Sequence, residues 1–91
     1  MQLTQAKIYL TAEAKAWLSR PNGGEVIRVV PSYAPVGMQC YELYTSFENT
    51  PDNLGRILFD SEGFWIYDGY HLSINEQEQL AGFIIHYMER L

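Results

Sequence analysis

Cysteine occurs once in 91 residues. That excludes a disulfide framework, and equally a cysteine-based zinc site built within a single chain. Cations are scarce too: six Lys and Arg stand against eleven Asp and Glu, for a net charge of −5. Binding to a phosphate backbone needs clustered cations, so nucleic acid is not an expected partner. Apolar runs stay far below the ~18 residues of a membrane-spanning helix, so no membrane partner is expected either. The opening residues Met1-Gln2-Leu3-Thr4-Gln5-Ala6-Lys7 lack the basic stretch and apolar block of a secretory signal. A cytoplasmic, reducing location is therefore the expectation, and a lone Cys40 is at ease there.

Motifs are missing as well. The chain holds no G-x-x-x-x-G-K-[ST], no G-x-G-x-x-G, no G-x-S-x-G and no H-E-x-x-H. Asn22-Gly23-Gly24 reads as a stop signal, since no helix follows it to cradle a phosphate. Cys40 falls mid-strand, away from any helix N-terminus that would lower its pKa, so neither His71 nor His86 makes it a convincing nucleophile. Asp60, Glu62, Asp68 and His71 surround a hairpin without matching the D-x-[DN]-x-[DN]-G calcium loop. No metal, no cofactor and no catalytic residue is expected, and the chain is read as a non-enzyme.

What is present is apolar and aromatic: 47% hydrophobic residues and 14% Phe, Trp and Tyr. That composition describes one small folded domain spanning residues 1–91, without repeats or linkers. Charge is unevenly placed. Residues 1–30 carry Lys7, Lys15, Arg20 and Arg28 against Glu13 and Glu25, whereas residues 31–91 carry Arg56 and Arg90 against nine acids. An acidic surface favours solubility, and it also steers a partner with a basic patch.

Residues 3–19 admit two readings. Ala6, Ile8 and Leu10 alternate like a short strand, after which Thr11 caps a helix over Ala12–Ser19. Leu3, Ala6, Leu10, Ala14, Trp17 and Leu18 also fit one longer helix over Thr4–Ser19. Beyond the Pro21-Asn22-Gly23-Gly24 break, residues 25–30, 39–46, 56–60 and 64–68 read as strands. Ser61-Glu62-Gly63 forms a short hairpin connection with Gly at its close. Ser73-Ile74-Asn75-Glu76 is a capping box opening a long helix, whose stripe runs through Leu80, Phe83, Ile84, Tyr87, Met88 and Leu91. Ala81 and Ile85 widen that stripe. The expected fold is α+β: a four- or five-stranded, mostly antiparallel sheet with a short N-terminal and a long C-terminal helix, in the order βαββββα.

A register that points Ile27, Val29, Tyr41, Leu43, Ile57, Phe59, Phe64 and Ile66 at the helices leaves a second face. That face holds Val26, Arg28, Val30, Cys40, Glu42, Tyr44, Arg56, Leu58, Trp65 and Tyr67, which is too apolar for a solvated surface. The N-terminal helix covers it, or the sheet curls into a partial barrel, or it docks a partner. Base stacking on such rings is outweighed by the surrounding negative charge. The functional expectation is a small adaptor or accessory subunit that binds another protein. Arg28, Tyr44, Trp65 and Tyr67 supply the anchor types found at binding hot spots. Ile85 on the last helix offers a second contact, including one with a second copy of the chain across a two-fold. The alternative is a small-molecule binder or small enzyme with a pocket between the 31–37 loop and the 64–71 hairpin, lined by Tyr33, Tyr67 and His71.

Overall fold

The computed structural model describes residues 10–47 and 49–87. In chain order it contains β1 (Ala14–Arg20), β2 (Gly23–Ser32), β3 (Gln39–Thr45), β4 (Asn53–Phe59), β5 (Trp65–Asp68) and α1 (Ile74–Ile85). Each strand pairs antiparallel with the next, giving an open meander in the order β1-β2-β3-β4-β5. The α+β class, the antiparallel sheet and the C-terminal helix match expectation. The N-terminal helix does not: residues 14–20 are a strand, so neither the 12–19 nor the 4–19 helix forms, and the order is βββββα among the described residues. Apart from Leu10, the short strand expected over 6–10 lies outside the described residues.

The physical reason is visible in β1. Ala14, Ala16 and Leu18 turn toward the core while Lys15, Trp17 and Ser19 turn away. This period of two competes with a helical spacing of the same residues, and pairing with β2 decides between them. The break after β1 is a two-residue connection, Pro21-Asn22, because Arg20 pairs with Gly23. Proline holds φ negative, which forbids the mirror-image hairpin turns; the positive φ moves on to Gly23 at 127°. What reads as a helix stop is therefore a hairpin corner.

Proline is also tolerated inside β2. Ala14 pairs with Val29 at the described start of β1, so Pro31 lies beyond the reach of that strand. Its missing N–H would have pointed toward β1, and no ladder bond is lost.

One face of the sheet carries the core. Ala16, Leu18, Ile27, Val29, Tyr41, Leu43, Ile57 and Phe59 are buried there beneath Leu10, Leu72 and the α1 side chains Leu80, Ala81 and Ile84. Tyr41 meets Phe59 edge-on at 5.8 Å and donates its hydroxyl to the Leu10 carbonyl at 2.9 Å. Each of the large aliphatic side chains contributes about 1.5–3 kcal/mol by leaving water.

The capping box forms as expected: Glu76 N donates to Ser73 Oγ at 3.2 Å, and Ser73 N donates to Glu76 Oε1 at 2.8 Å. The other carboxylate oxygen of Glu76 accepts from Arg20 Nε at 2.7 Å, and Arg20 also pairs with Glu25. Helix start and first hairpin are thereby locked together. The helix closes on His86 as its C-cap, and Met88 and Leu91 of the expected stripe lie outside the described residues.

Candidate functional site

The candidate site is the face of the sheet opposite α1. Antiparallel partners share a face, so the registers bring Lys15 and Trp17 of β1 beside Val26, Arg28 and Val30 of β2. Cys40, Glu42 and Tyr44 of β3 follow, then Arg56 and Leu58 of β4, then Ile66 and Asp68 of β5.

The β5 register corrects the expected faces. Trp65 pairs with Phe59 and Tyr67 with Ile57, so both aromatics lie on the core side, partly buried against it. Phe64 and Ile66, expected to point at the helices, are instead 70% and 62% exposed. The turn dictates this. Gly63 N donates to the Asp60 carbonyl, and Gly63 takes a φ of 94°. A three-residue connection of this kind sets Phe59 opposite Trp65, and residues directly opposite each other must share a face.

A polar band crosses the middle of the face. Arg28 binds both oxygens of Glu13, at 2.7 and 3.1 Å, and lies 5.5 Å from the centre of the Tyr44 ring. The Arg28 guanidinium holds the Glu13 carboxyl below the usual carboxylate range. Across β3, β4 and β5, Arg56 reaches Asp68 at 3.0 Å and Glu42 at 3.9 Å, while Asn53 donates to Glu42 at 3.0 Å. Lys15 Nζ sits 5.9 Å from the centre of the Phe47 ring.

Apolar patches flank the band. Trp17, 63% exposed, lies over Gly24, where a Cβ would collide with the indole. At the other end a cavity of about 130 Å³ is lined by Met38, Leu58, Asp60, Phe64, Trp65 and Ile66. Cys40 is buried between β2 and β4 neighbours, and burial with the nearby Glu42 pushes its thiol pKa up. It is therefore a neutral packing group rather than a thiolate nucleophile at neutral pH.

Of the residues expected to bind a partner, Arg28 and Tyr44 lie together on this face. Trp65 and Tyr67 lie behind it, and Ile85 is half-buried against the core. Tyr67 serves the fold. Its ring covers Gly55 and Gly69, its hydroxyl donates to the Leu54 carbonyl, and it accepts from His71 N at 3.2 Å. Tyr33 is 93% exposed on its loop. A second cavity, of about 220 Å³, is lined by Leu10, Pro31, Ser32, Ala34, Met38, Gln39, Cys40 and Tyr41. Neither of these two cavities is lined by Tyr33, Tyr67 or His71.

Comparison with known proteins finds no matching family model, no matching curated protein and no matching solved structure. Among the described residues no three of His, Cys, Asp and Glu gather to hold a metal ion, and no helix is long and apolar enough to cross a membrane. What the face offers is contact area: an apolar groove beside a pre-ordered polar band. Leu58, Phe64 and Ile66 meet at that groove. Alternation alone misplaces Phe64 and Ile66, and the length of the Ser61-Glu62-Gly63 connection is the signal that places them.

Proposed function

We propose that the chain is a non-catalytic adaptor or accessory subunit that holds another protein on the helix-free face of its sheet. The observation that carries this reading is the exposure of Phe64 and Ile66 at the rim of an apolar groove, on a face that α1 does not cover. Large apolar side chains clustered on a surface are the usual mark of a docking site. The polar band supports the reading. Arg28 and Arg56 are already held by Glu13 and by Asp68 with Glu42, so little side-chain entropy remains to be lost on contact. The arrangement is an apolar anchor zone with an ordered polar rim.

Photo-crosslinking tests the reading. A benzophenone amino acid replaces Ile66, and separately Glu78 on the exposed side of α1, in cells that make the protein. The expected result is a discrete adduct with an identifiable protein from position 66 and none from position 78. No adduct from position 66, or the same adducts from both, overturns it.

A further inference from the structure

We propose that β5 is a docking edge whose occupant is an extended, cationic segment of another protein, added to the sheet as a sixth strand. This deepens the adaptor reading and rests on it, because both use the β4–β5 end of the sheet.

Asp60 N donates to the Phe64 carbonyl at 2.9 Å, which makes Asp60 and Phe64 a bonded pair. Bonded and non-bonded pairs alternate along an antiparallel ladder, so Leu58–Ile66 and Arg56–Asp68 exchange the remaining bonds between β4 and β5. Trp65 and Tyr67 therefore direct their N–H and C=O groups outward. Among the described residues no hydrogen bond reaches these four groups. The other edge of the sheet is treated differently: in β1, Ser19 N donates to Gln79 Oε1 and the Ser19 carbonyl accepts from Gln79 Nε2, both at 2.8 Å. A side chain thus occupies a strand's place at one edge, and among the described residues none does so at the other. An unpaired edge is a template for an incoming strand.

Charge selects the occupant. Residues 49–87 hold Arg56 against Asp52, Asp60, Glu62, Asp68, Glu76 and Glu78, and Arg56 is itself held by Asp68 and Glu42. Asp60 and Glu62 lie at one end of β5 and Asp68 at the other, with exposed Phe64 and Ile66 between. Asp60, Phe64, Ile66 and Asp68 share one face. An added strand that presents two apolar residues flanked by cations on that face, with neutral residues between them, sets its charges toward those carboxylates and its apolar side chains against Ile66 and Phe64. A second copy fits less well. Two-fold pairing about Ile66 would match Trp65 with Tyr67, but it would also drive each Asp68 toward the other copy's Asp60–Glu62 turn, and like charges so placed repel.

The test uses the intact ¹⁵N-labelled chain and a capped Lys-Thr-Val-Thr-Val-Thr-Lys peptide, whose Lys and Val residues share one face, with the same peptide N-methylated at every residue as control. The expected result is at least tenfold slower hydrogen exchange of the Trp65 and Tyr67 amides at saturating peptide. N-methylation weakens binding at least tenfold, and Glu62→Lys weakens it severalfold. Unchanged exchange at both amides, or equal binding of the two peptides, overturns the proposal. If both peptides shift the Leu58 and Ile66 methyl signals equally, strand addition is wrong while the face reading stands. Loss of the position-66 adduct removes the face reading instead. Protection of both amides without peptide, with a mass that doubles with concentration in light scattering, assigns the edge to a second copy and overturns the cationic occupant.

Discussion

Gln79 holds both main-chain groups of Ser19, accepting from its N–H and donating to its carbonyl, each at 2.8 Å. Sixty residues separate the two in sequence, and the contact ties the helix to the edge of the sheet. A primary amide presents a donor and an acceptor side by side, as a neighbouring strand would. Gln79→Ala leaves the edge to water and is expected to cost about 1 kcal/mol, with faster exchange of the Ser19 amide. Urea unfolding with amide exchange by NMR checks both. Gln79→Glu keeps the acceptor and loses the donor, so it should fall between the two.

Glu76 links α1 to β1, and its titration sets an acid limit on stability. The Arg20 guanidinium, then the bond from the Ser73 backbone, hold its carboxyl below the usual range. A depressed folded-state pKa means stability that is present above the unfolded value, about 4.3, and is lost as pH falls through the folded one. Unfolding free energy is therefore expected to decline below about pH 4.3, and Glu76→Gln should flatten that decline. Chemical denaturation from about pH 2 to about pH 6 reads the slope directly.

Two glycines predict opposite outcomes. Gly55 adopts a φ of 107°, and a Cβ there would come within 2.7 Å of the Asp68 carbonyl and the Tyr67 ring. Gly55→Ala is expected to destabilise by about 1–3 kcal/mol from backbone strain, with the clash adding to it. Gly82 lies inside α1 with nothing within 4 Å of a Cβ. Gly82→Ala should stabilise by about 0.8–1 kcal/mol through helix propensity. Paired thermal melts of the two variants give the comparison.

The capping box and the strand cores were legible in the sequence because one interaction dominates at each. Ser73 and Glu76 stand three residues apart, where each side chain meets the other's main chain, and Ile27, Val29, Leu43 and Ile57 are β-branched or aliphatic at a clean period of two. Residues 14–19 misled because alanine is nearly silent in a hydrophobic pattern. Ala14, Trp17 and Leu18 then outweighed the truer trio of Ala14, Ala16 and Leu18. The faces of β5 misled for another reason: Phe64, Trp65, Ile66 and Tyr67 are apolar at every position, so alternation carries no information there. The hairpin connection does, since three residues between Asp60 and Phe64 fix which side chains stand opposite each other. Of the expected contact residues, Arg28 and Tyr44 were placed by strand period alone, while Trp65 and Tyr67 needed the length of that connection.

Leu80 is fully buried on α1, packed against the sheet beside Ile84. Leu80→Ala removes its contacts and leaves a void, for an expected loss of about 2–5 kcal/mol. Differential exchange should then show α1 and β1 loosening together, because Glu76 and Gln79 fasten the same helix to that strand.

Among the described residues α1 covers one side of the sheet, and the adaptor proposal requires Ile66 on the other side to be accessible. Acrylamide quenching of a lone Trp at position 66, in a chain carrying Trp17→Phe, Trp65→Phe and Ile66→Trp, measures that openness most directly. The expected result is quenching close to that of a free indole in the monomer, and strong shielding once the crosslinked partner is bound. A Trp at position 66 that is already shielded in the isolated monomer would contradict it.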